Sequence, residues 1–118
     1  MNELVERLSA GRHVVVINRP DKSGSALKER IDLGYVHVLF EETGTEVGIY
    51  LDRSNCDFSN CDFAGHDGNF QIEGVITLND NKVRCVVQAS LPTMRGTANL
   101  QPITASRYEE IISQYEQV

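Results

Sequence analysis

A chain of 118 residues with 41% hydrophobic and 24% charged side chains is one domain, 1–118, with a single core and no compositional sign of disorder. Its net charge of −6 has the wrong sign for nucleic-acid binding. No apolar run approaches the roughly 20 residues of a membrane span, the longest being Val14–Ile17. The N-terminus, MNELVERLSAG, lacks the basic start and apolar centre of a secretory signal, and the three cysteines are an odd number. These features predict a cytoplasmic protein.

The first predicted element is a helix over residues 2–10. Leu4, Val5 and Leu8 share a face, Glu3 and Glu6 sit near the positive N-terminal end, and Gly11 supplies a stop. The β-branched run within His13–Asn18 predicts a strand covered on both faces, ended by Arg19-Pro20. Asp21–Ser25 is a polar loop without the order or spacing of a phosphate loop. Ser25 is placed to cap a helix over Ala26–Leu33, which Gly34 closes.

From Tyr35 the pattern becomes strands and turns. Tyr35–Glu42 and Glu46–Asp52 flank a turn at Thr43–Thr45, and Asn69–Leu78 resumes the alternation. Mid-strand Gly48 and Gly74 read as bulges or as close-packing points against a helix. Asn79–Asn81 is a hairpin signal, because Asn and Asp tolerate left-handed backbone. In Lys82–Leu91, Val83, Cys85, Val87 and Ala89 alternate with polar residues; Met94–Leu100 is a last strand. Ser106-Arg107-Tyr108-Glu109 matches a capping box, opening a helix with Glu109 and Glu110 in its first turn and Tyr108, Ile111, Ile112 and Tyr115 on one stripe. The predicted fold is α+β: a strongly twisted antiparallel meander of about six strands, open or curled into a half-barrel, packed with N- and C-terminal helices.

Charge is unevenly placed. Glu41, Glu42, Glu46, Asp52, Asp57, Asp62 and Asp67 face only Arg53 between positions 41 and 67, so this stretch carries the whole net charge. The other ten acids and ten bases cancel. Such a segment suits a basic protein partner or a cation.

Within it lies a tandem repeat, Asn55-Cys56-Asp57-Phe58-Ser59 and Asn60-Cys61-Asp62-Phe63-Ala64. The spacing Cys56-x4-Cys61-x4-His66, with Asp62 or Asp67 to complete it, offers zinc ligands. It lacks the second close pair of a structural zinc site, so no metal or cofactor is expected. Cys56–Asn60 and Cys61–Gly65 resemble two units of a pentapeptide-repeat protein, whose central Phe and preceding small residue stack inside a quadrilateral β-helix. A coil of that family takes four units, and His66–Phe70 lacks the central Phe. The resemblance covers two units and implies a local feature: Phe58 and Phe63 share one direction, and Asp57 and Asp62 another.

No serine or cysteine stands in a recognisable nucleophile context, and the His66-Asp67 neighbour pair does not by itself place a carboxylate on an imidazole. The sequence therefore predicts a small acidic protein-binding module without enzymatic activity. Asp57, Asp62 and Asp67 would contact a basic partner, Glu41, Glu42, Glu46 and Asp52 would add to the acidic face, and Phe58 or Phe63 would anchor it. A bacterial immunity protein that neutralises a basic toxin is one protein of this kind. The alternative is a small-molecule-binding half-barrel or small enzyme with a pocket near His37, Tyr50 or His66.

Overall fold

The computed structural model describes residues 3–18 and 23–116. The expected strand stop at Arg19-Pro20 and the Asp21-Lys22 part of the polar loop lie outside the described residues. In chain order the elements are α1 (Glu3–Ser9), β1 (His13–Ile17), α2 (Gly24–Leu33), β2 (Tyr35–Phe40), β3 (Thr45–Leu51), β4 (Cys61–Asp62), β5 (Asp67–Leu78), β6 (Asn81–Ser90), β7 (Arg95–Pro102) and α3 (Ala105–Glu116). A single 3-10 turn, Arg53–Asn55, follows β3.

The fold is α+β and its main sheet is antiparallel, but the sheet is neither open nor half-closed. The strands run β3-β2-β1-β7-β6-β5, and β3 then pairs with β5, closing a six-stranded barrel. The seam is short: Tyr50 faces Val75 and Leu51 faces Gly74. Gly74 makes the approach feasible, because a Cβ there would lie 2.8 Å from the Tyr50 carbonyl oxygen and 3.0 Å from Ile49. Gly48 serves a different contact from the helix packing expected of it: the Tyr35 ring lies where its Cβ would be. Nor is the order a simple meander. β1 inserts between β2 and β7, pairing with both, so the first strand forms part of the middle of the wall. Closure leaves the barrel strands without a long unpaired edge.

Alternation decides what fills the barrel. Val15 and Ile17, Val36, Val38 and Phe40, Ile49 and Leu51, Ile72, then Val83, Cys85 and Val87, and Ala98 and Leu100 are all fully buried. α1 contributes Val5 and Leu8 to this core, and α2 contributes Leu27 and Ile31. β1 is covered on both faces only in part: outward Val16 is buried, whereas Val14 is 49% exposed. α3 lies against the outer wall across β3, β5 and β6, where outward-facing Val75 and the helix residue Ile111 are both fully buried.

The local signals mostly hold, with two shifts of cap. Asn79 and Asp80 adopt φ of 48° and 67°, the left-handed pair of a type I′ hairpin between β5 and β6. Gly34 ends α2 in the left-handed region, its N–H donating to the carbonyls of Arg30 and Ile31. The N-cap of α2 is Ser23 rather than Ser25; its hydroxyl accepts from the Ala26 N–H at 3.2 Å. The cap of α3 is Thr104 rather than Ser106, accepting from the Arg107 N–H at 3.2 Å. The helix therefore starts earlier, and its first turn holds no acid.

Candidate functional site

The segment between β3 and β5 carries the repeat, and its two units do equivalent local work. Asp57 Oδ1 accepts from the Ser59 N–H at 2.9 Å, and Asp62 Oδ1 accepts from the Gly65 N–H at 2.9 Å. Each carboxylate thus closes its own turn, as short acidic side chains do. The phenylalanines turn inward together, with ring centroids 6.1 Å apart, and Phe58 lies 6.3 Å from the core residue Phe70. The resemblance to a pentapeptide repeat is realised as a loop of two turns with the short strand β4, pinned to the barrel by those rings. Backbone bonds between Asp57 and Gln71, 2.9 and 3.0 Å in the two directions, fasten it to β5. Both thiols are engaged: Cys56 Sγ donates toward the carbonyls of Asp52 and Glu73, and Cys61 Sγ toward that of Asn69. Burial pushes both thiols up from their ordinary range. Among the described residues no three His, Cys, Asp or Glu side chains gather closely enough to hold a metal ion.

The acids contiguous in sequence separate into three groups in space. Glu41 and Glu42 follow β2 and pair with bases: Arg95 reaches Glu41 at 2.7 Å and Arg7 reaches Glu42 at 2.7 Å, with His13 Nδ1 3.6 Å from Glu42. The Arg7 bonds, and then His13, hold the Glu42 carboxyl below its ordinary value. Glu46 is exposed near the start of β3. At about 3.3 Å per residue, β3 holds Glu46 and Asp52 roughly 20 Å apart.

Asp52 departs from the acidic face altogether. It is 2% exposed, so it is not available to a partner. Its carboxylate accepts from the Ser54 hydroxyl at 3.1 Å, the Asn55 amide at 2.7 Å and the Arg107 guanidinium at 2.9 Å. The last bond ties α3 to the end of β3, where the Tyr115 hydroxyl also donates to the Leu51 carbonyl. A buried carboxylate needs such partners, and here they come from the Arg53–Asn55 turn and from α3.

Asp57, Asp62 and Asp67 form the third group. All three are exposed, and none makes an ion pair among the described residues. The Ser59 hydroxyl and N–H hold the Asp57 carboxyl below its ordinary value, so it stays ionised to lower pH than a free aspartate.

Asp57 also stands at the wall of a groove of about 530 Å³ that runs over the outer faces of β5, β6 and β7. Strand register builds this groove in two rows, Asn69–Ser90–Arg95 and Gln71–Gln88–Thr97. Between them Phe70, Ala89 and Gly96 have the inward parity, so the floor there is backbone. Asn60 joins Asp57 on the loop side. Of these residues the sequence reading singled out Asp57 alone. The outward parity of Gln88 and Ser90 was visible in the alternation, but their alignment with β5 and β7 depends on register.

The alternative reading names a pocket near His37, Tyr50 or His66, and these residues fall in two places. His37 and Tyr50 lie on the outer wall, His37 edge-on to Tyr35 and Tyr50 tilted against it, with centroids 5.2 and 4.8 Å away, and Tyr50 continues to Tyr115 at 5.6 Å. His66 sits in the loop in left-handed backbone, φ 54°, beside a concavity of about 400 Å³ shared with Ser23, Ser25 and Phe63. A third cavity, about 330 Å³, separates α2 from the loop and is lined by Ile31, Leu51, Cys56, Phe58 and Phe63 together with the ion-paired Lys28 and Asp32.

No protein-family model matches the chain, and no curated protein matches it in sequence. No helix among the described residues is long and apolar enough to cross a membrane.

Proposed function

We propose that this protein is a non-catalytic docking module whose β3–β5 loop presents Asp57, Asp62 and Asp67 to a basic protein partner, neutralising or regulating it. The observation that carries the reading is the contrast in how the acids are held. The loop aspartates are exposed and make no ion pair among the described residues, on a backbone fixed by two turns, two inward phenylalanines and a bridge to β5. Carboxylates fixed in place before encounter lose little freedom on binding, which favours affinity. Unpaired surface charge of one sign also speeds association with an oppositely charged protein. Phe58 and Phe63 pack against the core and are partly buried, so they support this surface from below and leave part of each ring at the cavities beside the loop.

The test is recovery of a binding protein from the native host on immobilised protein, followed by reconstitution with that protein purified. One basic protein should be retained at low salt and released as salt rises. The Asp57→Asn, Asp62→Asn, Asp67→Asn triple variant should lose it. Recovery unchanged in that variant contradicts the proposal.

A further inference from the structure

Building on that docking reading, we infer that the groove beside Asp57 receives an extended main-chain segment of the basic partner, held by side-chain amides along β5. The groove is polar but not strongly charged. Its arginine, Arg95, is paired with Glu41. Arg12 reaches in to donate to Gln88 Oε1 at 3.0 Å and Thr97 Oγ1 at 3.2 Å, so those two acceptors are engaged. By contrast, the side-chain amides of Asn60, Asn69 and Gln71 make no hydrogen bond within the described residues.

A primary amide carries donors and an acceptor in one plane, the complement of a peptide group. Asn69 and Gln71 are two residues apart on one strand, which sets their spacing at roughly 6.8 Å, the distance after which an extended peptide repeats its own orientation. An extended chain lying along β5 would thus offer a peptide group to each amide in turn. Strand addition is not the mode, because β5 is already bonded to β6 on one side and to Asp57 and β4 on the other. Asp57 is the acidic side chain of the lining and makes no ion pair among the described residues, so a lysine or arginine of the segment belongs beside it.

The experiment uses the whole ¹⁵N-labelled protein and an acetylated, amidated pentapeptide of alternating alanine and lysine as the probe. The side-chain NH₂ signals of Asn60, Asn69 and Gln71 should shift on titration. An analogue of the same charge with its backbone nitrogens methylated should bind about tenfold more weakly, the loss expected for removed hydrogen bonds. Gln71→Met, which keeps the size of the side chain, should also weaken binding while leaving the backbone spectrum folded. Equal binding of the methylated analogue overturns the main-chain inference and leaves the docking reading standing. Equal binding of the alanine–glutamate pentapeptide overturns the assignment of a basic side chain to Asp57. Shifts at these amides with cellotetraose and none with the lysine peptide would assign the groove to a neutral glycan and overturn the inference.

Discussion

The β2–β3 turn and the β3–β5 loop hold acids of similar number, yet the fold treats them in opposite ways. At the turn, Glu41 and Glu42 lie within 2.7 Å of Arg95 and Arg7, bases that come from β7 and α1. In the loop, the carboxylates of Asp57 and Asp62 bond, among the described residues, to hydroxyl and amide groups of their own turns. A count along the chain gives both regions the same charge. The difference is whether the charge is offset by a neighbouring base at the surface or left without an ion pair among the described residues, and the proposal assigns partner binding to the second.

The comparison breaks first if the two sets are exchanged in experiment. Replacing Asp57, Asp62 and Asp67 by Asn should weaken partner binding by about 100-fold, in the range lost when several interfacial charges are removed. Replacing Glu41, Glu42 and Glu46 by Gln should change affinity by less than about fivefold, with a larger effect on association rate than on dissociation. Equal losses from both sets would show that internal pairing does not decide function.

Asp52 supplies the next test, because it is acidic by sequence and structural by position. Asp52→Ala leaves Arg107, Ser54 and Asn55 without their common acceptor and should cost about 3 kcal/mol of stability, read from denaturant unfolding. Affinity of the folded fraction should be unchanged. At the barrel seam, Gly74→Val should cost about 2–3 kcal/mol by forcing β3 from β5, visible as the same kind of shift in midpoint.

Acid titration gives a smaller effect with a definite sign. The folded-state pKa of Glu42 is depressed by Arg7 and His13, so its contribution to stability is fully present above the ordinary value of 4.5. That contribution is lost as pH falls through the folded value, and Glu42→Gln should flatten the acid limb of the stability profile. Smallest is the order of thiol modification. Cys85, buried in the barrel and pushed up to about 12 by desolvation, should react with a thiol reagent only on unfolding, whereas the partly exposed Cys61 should react in the native state.

Much of the barrel is legible in the sequence because its strands alternate cleanly, and the Asn79-Asp80 turn fixes the register of the longest hairpin. Closure was not legible. It rests on two residue pairs, Tyr50 with Val75 and Leu51 with Gly74, across a loop whose path no local pattern sets. The helix caps were missed for a simpler reason: Ser23-Gly24-Ser25 and Thr104-Ala105-Ser106 each offer two hydroxyls of similar capping strength. The site divides in the same way. The exposed aspartates could be named from charge and turn chemistry, but the burial of Asp52 required Arg107 from the far end of the chain. The groove required three strands in register.

The most direct measurement is the salt dependence of partner recovery by the wild-type protein and the two triple variants, taken side by side. The account predicts a steep fall with salt for the wild type and for the glutamate variant, and no specific recovery at any salt for the aspartate variant. Salt-sensitive recovery that survives removal of Asp57, Asp62 and Asp67 but disappears with Glu41, Glu42 and Glu46 would contradict it.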